Sequence, residues 1–209
     1  LTLAGKLPLR YDPDHNIKGT TVMDLRADAT PAGTPVTVTS LGEFTTNFNR
    51  DHPNILHRLQ PVLCSEPVVM AGGAVLRTVA QGGGVRTNGW WGPKSDIDLF
   101  VHCETPQEAS RIARSIFYAL AVDNERWGIV RSAGVINMHR WQQNNVIGEK
   151  VQIILRLYDS PAEILYGFDC DCCCCLYNGH DIWGTPRWLY SLQHGINTLN
   201  PLHAWPNKP

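Results

Sequence analysis

Val69-Met70-Ala71-Gly72-Gly73-Ala74-Val75 and, across a loop, Ser95-Asp96-Ile97-Asp98-Leu99-Phe100-Val101 are the two segments from which the rest of the chain is best understood. The first is an apolar run ending in a double glycine, followed by Ala74–Ala80, which has the composition of a short helix. The second reads as a strand. Side chains alternate faces in a strand, so Asp96 and Asp98 project from one face while Ile97, Leu99 and Val101 project from the other. Two carboxylates on one face repel each other, and a hard divalent cation such as magnesium relieves that repulsion while completing its oxygen shell with water and phosphate. A helix starting just after Gly72-Gly73 aims backbone N–H groups at an anion. Together the segments read as a phosphate seat beside a metal seat.

Working outward, the spacing of Ile55, Leu56, Leu59 and Leu63 predicts a helix over 51–63, and Pro67–Ala71 a first core strand. Thr105-Pro106-Gln107-Glu108, Ser160-Pro161-Ala162-Glu163 and Thr185-Pro186-Arg187-Trp188 each place an N-cap hydroxyl before a proline suited to the first helical position. Gly167 and Gly195 stand where helices should stop. Strands are predicted over 96–102, 151–158 and 169–177, the last turning at Asn178-Gly179, with Ile129–Arg131 and Val135–Met138 pairing across Ala133-Gly134. Residues 1–45 lack sustained periodicity and read as a loosely structured N-terminal arm, leaving 46–209 as the main domain. The expected fold class is α+β, a two-layer arrangement of a mixed sheet packed by helices.

Composition sets limits on function. Hydrophobic residues make up 43% of the 209, enough for a core, and the net charge of −1 gives no general pull toward nucleic acid or anionic membrane. No apolar run approaches the roughly 20 residues that cross a bilayer. The N-terminus lacks the charged-then-apolar pattern of a secretory signal, and the start at Leu1 leaves a longer parent chain open. Five of the seven cysteines crowd into Cys170, Cys172, Cys173, Cys174 and Cys175, a spacing poor for local disulfides and for zinc. They are expected to act as small hydrophobes in a reducing, intracellular compartment, which points to the cytoplasm. There is no Gly-x-x-x-x-Gly-Lys-Ser/Thr loop, no Gly-x-Gly-x-x-Gly turn, no Gly-x-Ser-x-Gly elbow and no paired-histidine metal spacing.

The Gly-Gly strand end, the helix and the strand Asp-Ile-Asp-Leu-Phe-Val resemble the signature of the DNA polymerase beta superfamily of nucleotidyltransferases, over about residues 65–185. Val151–Tyr158 and Gly167–Cys173 are further similar to a poorly characterised branch found in large DNA viruses and in ankyrin-repeat-type proteins. The resemblance implies a nucleotidyltransferase-like sheet, Gly72 and Gly73 seating the phosphates of a nucleoside triphosphate, Ser95 contacting phosphate, and Asp96 and Asp98 holding Mg2+ (or Mn2+). It also implies a third carboxylate on a neighbouring strand. Gln152 stands where that acid is expected, and Glu149 shares strand parity with the buried Val151 and Ile153. Asp169 and Asp171 are therefore the candidates for the third ligand, with Asp171 preferred. Arg77, Arg86 and Lys94 can add positive charge along the phosphate path. The loop holding Gly82-Gly83-Gly84 and Trp90-Trp91 can move, and its tryptophans can either cover the core or stack on a base.

The leading expectation is a magnesium-dependent transfer of a nucleoside monophosphate from a triphosphate to a hydroxyl of a protein, nucleic acid or small molecule, releasing pyrophosphate. The alternatives are an inactive nucleotide-binding or interaction module, kept open by Gln152, and a glycosyltransferase using Asp-x-Asp, which leaves the Gly-Gly helix start unexplained.

Overall fold

The computed structural model of the protein describes residues 21–24, 38, 40–80, 95–122, 126–141, 147–194 and 196–199. In chain order the elements are β1 (Thr21–Asp24), α1 (Leu41–Asp51), α2 (Ile55–Ser65), β2 (Val68–Ala71), α3 (Gly73–Val79), β3 (Ile97–Val101), α4 (Pro106–Leu120), β4 (Arg126–Arg131), β5 (Val135–Trp141), β6 (Ile147–Ile154) and α5 (Pro161–Tyr166). A 3-10 turn (Asp171–Cys173), β7 (Cys175–Tyr177), β8 (Ile182–Gly184), α6 (Pro186–His194) and β9 (Ile196–Leu199) follow.

The three proline-marked helices begin where their caps place them. Thr105 accepts from the Glu108 N–H at 3.2 Å, Ser160 from the Glu163 N–H at 3.3 Å, and Thr185 from the Trp188 N–H at 3.2 Å. The expected 51–63 helix is instead two helices. α1 ends at Asp51 and α2 starts at Ile55, with Asn54 in the left-handed region at φ 66° between them. α1, capped by Ser40, straddles the expected arm boundary at residue 45, and its Phe44 and Phe48 are fully buried. Its buried aromatics lie four apart, a period masked in the sequence by the Thr and Asn residues around them.

The architecture is α+β. A mixed seven-stranded sheet runs β4-β5-β6-β3-β2-β7-β8, and β1 and β9 form a separate two-stranded ribbon. β3 and β6 at its centre are parallel; the other neighbours in the sheet are antiparallel. One sheet face carries Ile97, Leu99, Val151 and Ile153 into the main core with residues of α1, α2 and α4. The other carries Val69, Ala71, Phe100 and Leu176 into a smaller cluster with Ile164 and Leu165 of α5. Asp96 and Asp98 share strand parity with Phe100, so they lie on the face with the smaller cluster. Among the described residues no helix is long and apolar enough to cross a membrane.

Two expected strands are shorter or shifted. β6 begins at Ile147 and stops at Ile154 rather than spanning 151–158. The expected 169–177 strand is a bend, the 3-10 turn and only three residues of strand. Strand parity therefore does not place Asp169 and Asp171 on one face. The hairpin after β7 does turn at Asn178-Gly179, with Gly179 at φ 94°. All seven cysteines are free thiols, and Cys172, Cys174 and Cys175 are buried. Burial pushes the Cys170 thiol up to about 11 and Cys174 up to about 12, so both stay protonated at neutral pH.

Candidate functional site

β3 is the spine of the site. Asp98 pairs in register with Ala71 of β2 on one side and with Gln152 of β6 on the other. The chain leaves β2 through Gly72, at φ 83° and ψ −146°, and enters α3 at Gly73. Gly72 stays on the ladder: its N–H donates to the Cys175 carbonyl at 3.2 Å. A Cβ at Gly72 would stand 3.5 Å from Asp98 Oδ2 and 3.3 Å from the Phe168 ring. Only glycine combines that backbone with that clearance.

Around the carboxylates, charge is partly balanced. Burial pushes the Asp98 carboxyl up, the neighbouring Asp96 charge pushes it further, and the Lys150 ammonium pulls it back, leaving it at about 7. Lys150 forms an ion pair with Asp96 Oδ2. Gln152 lies between the pair and Asn137 of β5. Carboxylates only accept, so the Gln152 amide nitrogen belongs on their side. In that orientation it donates to Asp98 Oδ1 at 2.9 Å and to Asp96 Oδ2 at 3.3 Å, and its oxygen faces the Asn137 amide, which must turn with it to present its nitrogen. Two carboxylates, an ammonium and two amides thus meet beside a glycine turn. Of this set, the two carboxylates are the groups that could serve an oxygen-seeking cation.

The remaining expected site residues are placed as follows. Ser95, half-buried, directly precedes Asp96, and Gly73 opens α3. Arg77 donates from Nε to Asp51 Oδ2 at 2.9 Å, tying α3 to the end of α1. Lys94, Arg86, Gly82-Gly83-Gly84 and Trp90-Trp91 lie outside the described residues. Asp171 is buried at the start of the 3-10 turn and forms an ion pair with Arg187 of α6. A buried carboxylate needs such a partner. Among the described residues no three or more His, Cys, Asp or Glu side chains group to hold a metal ion, so Asp169 and Asp171 do not join Asp96 and Asp98 in one cluster. Glu149 faces the main core, as its parity implies, with His52 Nδ1 at 2.7 Å and Arg140 Nη2 at 3.3 Å.

Lys150, Asn137 and Phe168 complete the surroundings of the pair, and reading the chain alone passed over all three. Lys150 was accessible to it, because it shares strand parity with Gln152. Asn137 was not, since its approach depends on the β5–β6 register that sets Asn137 opposite Gln152.

Residues 39–194 match the family described as Gabija anti-defense 2 (Gad2). The chain belongs to the Gabija anti-defense 2 family. The matched span contains every described residue of the site and runs from the start of α1 to the end of α6, leaving the β1–β9 ribbon outside. This Gabija anti-defense 2 chain is also 27% identical over 177 residues to uncharacterized protein R883 of Acanthamoeba polyphaga mimivirus. That alignment covers 79% of this chain and 36% of the viral protein, so the chain spans about a third of its relative's length. The solved structure of Cid1, whose reported activity is RNA terminal uridylyl transfer, is similar over 60% of this chain and 33% of that one, at 15% identity and a TM-score of 0.33.

Proposed function

We propose that the protein is a nucleotidyltransferase dependent on Mg2+ (or Mn2+), moving a nucleoside monophosphate from a nucleoside triphosphate to an acceptor hydroxyl, and that this transfer serves the opposition to Gabija defence described by the family name. The observation that carries the reading is the β2–β3 register, which sets the Gly72 turn against the Asp98 carboxylate.

In the proposed reaction the acceptor oxygen attacks the α-phosphorus, the bond from that phosphorus to the bridging oxygen breaks, pyrophosphate leaves with the electron pair, and the acceptor proton passes to water. Asp96 and Asp98 are suited to hold a dication. Burial and mutual repulsion hold the Asp98 carboxyl at about 7, a strain that a positive ion relieves. The bound ion supplies neutralisation of triphosphate and pyrophosphate charge. Lys150 offsets part of the carboxylate charge, and the missing side chain at Gly72 lets the Asp98 carboxylate and the Phe168 ring close in on the turn. The acceptor class is a hydroxyl of a protein, a nucleic acid or a small molecule; the even charge balance argues against a processive templated polymerase. The buried free thiols fit an intracellular setting.

The test is incubation of the full chain with each α-labelled triphosphate, Mg2+ and candidate acceptors. Label transfer and pyrophosphate release in the wild type, lost in D96N and D98N, support the proposal. A second reading, a nucleotide-binding module without catalysis, is favoured by Gln152 in place of an acid. A wild type that binds triphosphate and releases no pyrophosphate selects it. Protection of a virus in cells carrying Gabija defence, compared between wild type and D96N/D98N, then reads whether the biological effect needs the site.

A further inference from the structure

We infer that the acceptor is a single-stranded nucleic acid, and that it lies along the sheet face running from Asp96 and Asp98 to Trp141 and Arg126. The inference rests on the transferase reading above and names the acceptor and the surface that binds it.

Two rows of residues cross the sheet from the carboxylates. Strand register sets Asp98 level with Gln152 of β6, Asn137 of β5 and Val130 of β4. The adjoining row holds Lys150, His139 and Gly128, and the Lys150 ammonium reaches Asp96. Residues paired across a ladder share a face, so both rows lie on the face of the carboxylate pair. Arg126 and Trp141 are paired with each other beyond Gly128 and His139, two residues along each strand, and return to the same face. This end of the face is open, with Val130 59% and Trp141 39% exposed and Arg126 exposed beside them.

Gly128 sets the posture of the tryptophan. A Cβ there would stand 2.8 Å from Trp141 Nε1, 3.6 Å from Cε2 and 3.8 Å from Cδ1. The distances rise away from the nitrogen, so the indole stands on its N–H edge over the glycine and does not lie flat on the sheet. An upright indole offers a ring face to a planar group lying along the surface, and a base is such a group.

Charge selects the occupant. The whole chain carries −1, yet residues 126–141 hold Arg126, Arg131 and Arg140 and no Asp or Glu. Arg140 is engaged with Glu149 on the other face, whereas Arg126 has no acidic partner among the described residues. A nucleotide matches the Trp141–Arg126 pair twice, base to indole and phosphate to guanidinium. A duplex hides its base faces, so the strand has to be single. Two strand spacings across and two residues along put Trp141 about 12 Å from the level of Asp96, the rise of roughly three or four stacked nucleotides. A base stacked on Trp141 therefore leaves the end of its strand at the carboxylates. There the terminal hydroxyl oxygen bonds to the α-phosphorus, pyrophosphate leaves with the electron pair of the broken bond, and the hydroxyl proton passes to water.

Fluorescence anisotropy of a fluorescein-labelled dodecamer of mixed sequence, as RNA and as DNA, tests the surface on the full chain without triphosphate. The wild type is expected to bind at least one of the two forms, W141A about tenfold more weakly, and W141F nearly as well because phenylalanine keeps a stacking face. R126A is expected to weaken binding and to lower the salt dependence by about one released ion. As an exposed substitution, R126A carries the test if W141A melts early. No binding of either form overturns the inference, as does binding that R126A and W141A leave unchanged, or equal binding of the blunt duplex. Label transfer separates the two failures. A strand that binds through Trp141 yet never receives a nucleotide overturns the transferase reading, whereas transfer to a protein acceptor that W141A does not alter overturns the inference alone.

Discussion

Gly72 and Asp98 meet across the β2–β3 ladder at the distance of one absent methyl group: a Cβ on Gly72 would lie 3.5 Å from Asp98 Oδ2. The backbone at φ 83°, ψ −146° is in a region essentially confined to glycine. G72A is therefore expected to cost about 1–3 kcal/mol of stability, measured by denaturant midpoint. Because the added methyl also presses on the Phe168 ring, triphosphate binding should fall in the fraction that stays folded. An unchanged midpoint and unchanged binding would remove the turn from the site.

Asp98 makes stability depend on pH in a defined direction. Its carboxyl is raised from 3.8 to about 7 by burial, with Asp96 adding to the effect. Below pH 3.8 both folded and unfolded chains hold the proton. Between there and pH 7 the unfolded chain releases it while the folded chain keeps it, so stability falls as pH rises, by up to about 1.4 kcal/mol per unit. Above 7 the penalty is constant. D98N lacks it, so D98N should melt higher than the wild type at pH 8 and close to it at pH 4. Parallel melting curves across that range would contradict this account.

Glu149 is a different kind of acid. It is buried against the main core with His52 and Arg140. Removing one member of a buried charged cluster strands the others, and E149A is expected to lose roughly 3–5 kcal/mol. The double variant H52A/E149A should lose less than the sum of the two single losses. Additive losses in urea denaturation would show that the pair acts independently.

Gly184 and Trp188 set a packing limit at the far edge of the sheet. Trp188 is fully buried, and a Cβ on Gly184 would fall 1.9 Å from its Cε3. G184A must push the indole or the backbone aside, at a cost of about 1–3 kcal/mol or more. G134A, in the β4–β5 turn with no atom within 4 Å of the added carbon, is the matched control and should change Tm little.

What could be read from the chain was local chemistry with a sharp signature. The hydroxyl-proline caps at Thr105, Ser160 and Thr185 start helices because their hydrogen bonds are made within four residues. The alternation around Asp96 and Asp98 gave their shared face, and Glu149 could be assigned to the core by the same parity. Where local structure departed from a simple strand, parity failed. Asp171 sits in a 3-10 turn, and its partner Arg187 is sixteen positions further on in α6, beyond the reach of any periodicity. α1 was missed because polar residues separate its two buried phenylalanines. The Gln152–Asn137 contact depends on register between two strands, which a single chain does not display.

The five thiols of Cys170–Cys175 also have a kinetic meaning. Thiol reagents attack the thiolate, and burial keeps Cys170 and Cys174 protonated, whereas Cys64 is exposed on α2. Cys175 is buried, and its carbonyl is the acceptor for the Gly72 N–H. After labelling at the exposed Cys64, modification of Cys175 marks an opening of the strand that anchors the glycine turn. The protein thus carries its own clock for how often the floor of the site comes undone.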